Sequence, residues 1–236
     1  MPMDDHERQK VESAAATLKR LLEDDRAGMF RRVLAVNECL GSGYNWSELD
    51  FLRIEVCKCI VFDLPQAAIT LTNHLLETAI KNSLVAAEMK KDSPSATKPA
   101  EALYEVYGEA TEANMPLELG DAINKARRLG LISKKQQKQL HRIRDGLRNP
   151  YSHANKAKLL RGVSVPLRKV SLVEGENPTL EEGEAFDVDA AKVPFLHGLL
   201  QKKHAEANAI PYFLAIDRVI RDLITRLFGH TDADDA

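Results

Sequence analysis

The stretch "RDGLRNPYSHANK", from Arg144 to Lys156, gathers the side chains in this chain best suited to work on a phosphate. Arg148 can hold a phosphate by two parallel charge-assisted bonds and does not lose its proton. His153 titrates near neutrality, so it can take or give a proton during bond cleavage. Asn149 can orient either the imidazole or the phosphate. On an ideal helix Asn149 and His153 lie about 40° from each other and share a face, whereas Arg148 lies about 140° from His153. The length of the arginine narrows that gap, and so does Pro150, which removes the N–H that would bond to Gly146 and is expected to kink the helix. Gly146 lowers the helix's own stability further, and together the two cost on the order of 3 kcal/mol in an exposed helix interior. Local rule-breaking of this kind gathers at functional sites.

Such a set needs no metal or cofactor when the substrate supplies the nucleophile. RNA does so through its ribose 2′-hydroxyl. Attack on the adjacent phosphorus would leave a 2′,3′-cyclic phosphate and a free 5′-hydroxyl. The charge around the motif points the same way. From Ala122 to Arg161 the chain carries twelve Lys and Arg residues against the single acid Asp145. From Glu174 to Asp189 it carries seven acids and no base. Charge runs are ordinarily solvated surface, but a basic run that contains the motif favours a polyanionic partner.

The elements that must position these residues read as helices. Amphipathic spacing predicts helices over 11–23, 29–40, 46–62 and 65–91, the last with Ile69, Thr72, Leu75, Leu76, Ala79, Ile80 and Leu84 on one face. Pro65 suits a first helical turn. Shorter helices are expected over 101–114 and 117–129, closed near Pro116 and by Gly130. The motif helix should begin at the N-cap Ser133 and bury Ile132, Gln136, Leu140, Ile143, Leu147, Tyr151 and Ala154. Residues 162–194, broken by Gly and Pro, read as an irregular acidic insertion with room for a short hairpin. A helix pair over 195–208 and 211–228 closes the chain, with Phe213, Ile216, Ile220, Leu223 and Leu227 as the buried stripe of the second. Trp46 and Phe51 read as core anchors. The fold class is therefore an all-α bundle over 64–230, preceded by a helical appendage over 1–63 and followed by a tail over 231–236.

The motif "RDGLRNPYSH" resembles the R-N-x-x-x-H signature of HEPN domains, small helical bundles of which many are metal-independent endoribonucleases. The resemblance is firm over the motif helix and looser over the order of helices from Pro65 to Leu129 and the closing helix. It implies Arg148 and His153 as the catalytic pair, with Asn149 as the polar residue after the arginine. Arg144 and Asp145 match a less constrained pair one turn earlier. His141, Tyr151 and Lys156 are further candidates for contacting substrate. The resemblance also implies a homodimer with the two motif helices facing each other across a two-fold axis, RNA as substrate, and a role as a growth-arresting toxin or antiphage defence effector with an antitoxin or other regulatory partner. One departure stands out: toxins of this family paired with a nucleotidyltransferase carry a tyrosine two residues after the histidine, and that position is Asn155 here.

Other readings stay open beside this one. A catalytically silent HEPN-like module would dimerise or bind a nucleotide or partner protein, with Arg148 paired to a carboxylate. A helical DNA-binding regulator would use the basic helix without cleavage. His74 and Glu77, three apart on the Pro65 helix, read as a partly buried polar pair that can also face the motif helix. No metal-ligand spacing, phosphate loop or serine-hydrolase elbow occurs. Cys39, Cys57 and Cys59 are expected to be reduced thiols. No run of about 18 apolar residues and no apolar leader core is present, so a cytoplasmic chain without membrane contact is expected.

Overall fold

The computed structural model describes residues 4–89, 99–148, 151, 160, 162–173 and 179–229. They form an all-α bundle with one two-stranded hairpin. In chain order the elements are α1 (Asp5–Asp24), α2 (Arg26–Gly41), α3 (Ser47–Val61), α4 (Pro65–Met89), α5 (Pro99–Asn114), α6 (Leu119–Arg128) and α7 (Lys134–Ile143). Then come a π-helical turn (Arg144–Arg148), β1 (Ser164–Val173), β2 (Thr179–Asp189), a 3-10 turn (Ala190–Lys192) and α8 (Pro194–Phe228). Among the described residues no helix is long and apolar enough to cross a membrane.

The axis of the bundle is α4. Its predicted face, Ile69 to Leu84, is fully buried, and α8 packs along it with Phe213, Ile216, Ile220 and Leu223. Around this pair stand α3, α5, α6 and the π turn. The packing draws no line at residues 63–65, where the sequence suggested a boundary. Val36 and Cys39 of α2, and Leu49, Val56, Cys57 and Ile60 of α3, belong to the same core as α4 and α8. The link is polar as well, since Tyr44, between α2 and α3, donates to Asp217 on α8 at 2.6 Å. Within the first 63 residues it is α1 that stays outside the core: its described side chains are exposed throughout.

Three further expectations change. Phe51 is 70% exposed, because α3 buries the face that carries Leu49, Arg53, Val56 and Ile60. The closing pair is one helix, α8, running unbroken through Pro211. Ala207, whose carbonyl loses its donor to the proline, lies on the solvent side with Pro211, while Ala205, Ala209, Tyr212 and Phe213 hold both halves on the core. The insertion is a regular antiparallel hairpin. It pairs Ser164 with Asp189 and Val173 with Thr179, with one irregularity between Arg168 and Val170.

The helix that delivers the motif starts as its sequence dictates. Gly130, at φ 77°, takes the left-handed conformation that closes α6, and Leu131 N–H reaches back to the Ala126 carbonyl at 3.0 Å. Ser133 then caps α7 in a reciprocal box: Gln136 N–H donates to the Ser133 hydroxyl, and Ser133 N–H donates to the Gln136 side chain. The buried Gln136 also donates to Asp222 at 2.9 Å, which ties α7 to α8.

Candidate functional site

Past Ile143 the helix widens into the π turn Arg144–Arg148, where bonds run five residues apart instead of four. The sequence gives the reason. In α register residue 150 would donate to Gly146, and a proline has no N–H to give. π turns are rare and occur mostly at functional sites. Of the sequence-predicted site residues, His141, Arg144, Asp145, Arg148 and Tyr151 are described; Asn149, His153 and Lys156 lie outside the described residues.

Arg148 ends the π turn and points inward against α4. Its Nη2 donates to Glu77 Oε2 at 3.1 Å, and the arginine side chain is only 18% exposed. Lys81, one turn along α4, pairs with the other oxygen of Glu77 at 2.8 Å. Burial alone would raise the Glu77 carboxyl, but the bonds and charges of Lys81 and Arg148 outweigh it and hold the group below its ordinary value. The positive field of Arg148 also reaches Tyr212, whose phenol burial pushes well up and Arg148 pulls partly back. Tyr212 in turn donates to Asn73 at 2.5 Å. The motif arginine is thus seated in a polar pocket formed by α4 and α8.

Tyr151 turns toward α8. Its hydroxyl lies 3.0 Å from His204 Nδ1 and 3.4 Å from the Gln201 carbonyl. Burial pushes the Tyr151 phenol up to about 12 and lowers His204, so a neutral imidazole can accept the phenolic proton at Nδ1. This geometry makes Tyr151 an anchor of the motif segment. His141 is likewise engaged, with Nε2 at 3.0 Å from the Asn124 side-chain oxygen, which also accepts from Gln137. Arg144 and Asp145 pair with each other at 3.0 Å, and Arg144 passes so close over Gly120 that a β-carbon there would meet its Nη1. His74 is exposed and stands apart from this arrangement.

The basic run forms a surface. Arg127 and Arg128 at the end of α6, and Lys134, Lys135, Lys138 and Arg142 along the adjoining α7, are exposed, with no carboxylate in ion-pair range among the described residues. Lys125 is the exception in this run, held by Glu88 at 2.6 Å and by Asn114. Six exposed cations therefore stand on α6 and α7, the two helices that precede the π turn. Among the described residues no three His, Cys, Asp or Glu side chains come together to hold a metal. Cys39 and Cys57 are buried free thiols, pushed up by burial to about 11 and about 12.

Sequence reasoning did not assign Glu77 to the site. It sits 71 residues before its partner, and its only signal was helical spacing that let it face the motif. His204, the partner of Tyr151, left no signal. No known family, curated protein or solved structure matches the chain.

Proposed function

We propose that this chain is a metal-independent endoribonuclease of HEPN type that acts as a homodimer. The observation that supports it is the π turn carrying Arg148, preceded by six exposed cations on α6 and α7 that pair with no carboxylate among the described residues. A polyanion drawn to that face is brought to the motif. In this reading the 2′-oxygen attacks phosphorus, the P–O5′ bond breaks, and the products carry a 2′,3′-cyclic phosphate and a 5′-hydroxyl. One proton leaves the 2′-hydroxyl and one is delivered to the departing 5′-oxygen. That traffic falls to His153, while Arg148 stabilises the charge that builds on the phosphoryl oxygens and Asn149 orients. Glu77 holds the guanidinium in place between turnovers. A growth-arresting or antiphage role, with a regulatory partner, follows from the same resemblance.

A second reading has its own observation. Arg148 is paired with Glu77 and largely buried, as a purely structural arginine in a non-catalytic binding or dimerisation module would be. Incubation of the purified protein with end-labelled RNA in EDTA separates the two. Cleavage with cyclic-phosphate ends, lost in Arg148→Ala and His153→Ala while both variants keep their melting transition, is the expected result. Intact RNA from a well-folded wild-type dimer overturns the enzyme reading and leaves the binding module.

A further inference from the structure

A cavity of about 910 Å³ opens further along α4, away from the motif. Its wall begins at Asn82, five residues beyond Glu77 and so about 8 Å along the helix. Trp46, Tyr107 and Phe228 supply aromatic surface, while Asn45, Asn82 and Thr111 are among the residues that supply polar groups. The frame is fixed. Tyr44 at the rim donates to Asp217 at 2.6 Å, and its ring lies between the guanidinium groups of Arg53 and Arg221, 5.3 and 5.2 Å away. Trp46 meets Phe228 edge-on at 5.9 Å.

Two features define what fits. The described lining residues carry no charge, so they offer a phosphate or carboxylate nothing in return for its lost hydration. Asn82 is 9% exposed, and its Nδ2 donates to Glu48 at 2.7 Å, which leaves its carbonyl oxygen without a partner among the described residues. An acceptor in an aromatic-walled cavity suits a ligand that carries a donor. We propose that this cavity is a binding site for a neutral, planar aromatic molecule carrying an N–H or O–H on its edge, seated against Trp46, Tyr107 and Phe228 with that donor on Asn82. The site is separate from the basic face and holds whether or not RNA is cleaved. The chain's own residues 230–236, with three aspartates and no apolar side chain larger than alanine, lack the chemistry to fill it.

The test uses the chain's single tryptophan, Trp46, which lines the cavity. N-phenyl-1-naphthylamine is uncharged and aromatic, carries one N–H, and absorbs where tryptophan emits. Titrated into the full chain, it is expected to give saturable energy transfer from Trp46 at one probe per chain. Filling the cavity with Ala86→Leu and Thr111→Leu together should weaken that binding at least tenfold. The anionic relative 8-anilinonaphthalene-1-sulfonate should bind the wild-type chain at least tenfold more weakly than the neutral probe. Non-saturating transfer, or equal affinity for the two probes, overturns the proposal. The two-probe comparison on the wild type decides the matter even where the double variant fails to fold.

Discussion

At the scale of single residues, Glu77 does what no motif announces. It gives one oxygen to Arg148 and the other to Lys81, and the three side chains are 26%, 18% and 15% exposed. Glu77→Gln keeps the shape and removes the charge, leaving two partly buried cations without that counter-charge. Stability should fall by about 1–3 kcal/mol at pH 7, the range for hydrogen bonds to charged groups. The pH dependence follows from the direction of the shift. The folded group titrates below its ordinary value of 4.5, so its contribution is fully present above that value and is lost as the pH falls through the depressed one. Melting curves of wild type and variant should therefore lie apart at neutral pH and converge as the pH falls below the ordinary value of 4.5. A gap that stays constant down to pH 3 would mean that the carboxylate charge is not what holds Arg148.

At the scale of elements, the contrast between α4 and α8 explains what the sequence made legible. The α4 stripe from Ile69 to Leu84 and the α8 stripe from Phe213 to Leu227 are buried as their spacing implies, because side-chain period is a local property. The N-cap at Ser133 and the helix closure at Gly130 were readable for the same reason. Where a local rule competes with packing, the sequence misleads. Pro211 ought to end a helix, yet α8 continues through it, since its missing bond faces solvent while Ala205, Ala209, Tyr212 and Phe213 bury the opposite side. Partner choice is less legible still. Helical spacing lets Glu77 face the motif but does not select Arg148, and nothing local indicates that Tyr151 meets His204 or that α2 and α3 share one core with α4 and α8. The α8 account can be checked. Pro211→Ala restores a donor for the Ala207 carbonyl in a helix already of the right shape. It should raise stability by about 1 kcal/mol, less than the full cost of about 3 kcal/mol for a helical proline because the unfolded chain also gains freedom. In a chain of this size that is a rise in Tm of about 2–4 °C. An unchanged or lower Tm would show that the proline is part of a packing contact the helix needs.

At the scale of the whole molecule, the net charge of −2 conceals segments of opposite charge. The hairpin presents exposed Glu184, Asp187 and Asp189, and α6 and α7 present the six exposed cations. The separation has a physical consequence that a uniform distribution would lack. A neutral or slightly acidic protein of even charge gains nothing by approaching RNA, whereas a one-sided cationic face displaces counterions from the backbone it covers. Single-stranded nucleic acid yields a slope of about −0.7 in log K against log salt per phosphate neutralised, so full engagement of six cations predicts a slope of about −4. Replacing Lys134, Lys135 and Lys138 together with glutamine removes three exposed charges from α7 and no buried contact. The slope should then shrink by about 2. Fluorescence anisotropy of a labelled single-stranded RNA, titrated across a series of salt concentrations with both proteins, measures this directly. Because the substituted side chains point to solvent, the variant should melt with the wild type, and any lost affinity is then electrostatic. Binding indifferent to salt, or a slope that the triple substitution leaves untouched, would place the RNA elsewhere on the molecule and remove the reason for the motif to sit beside this face.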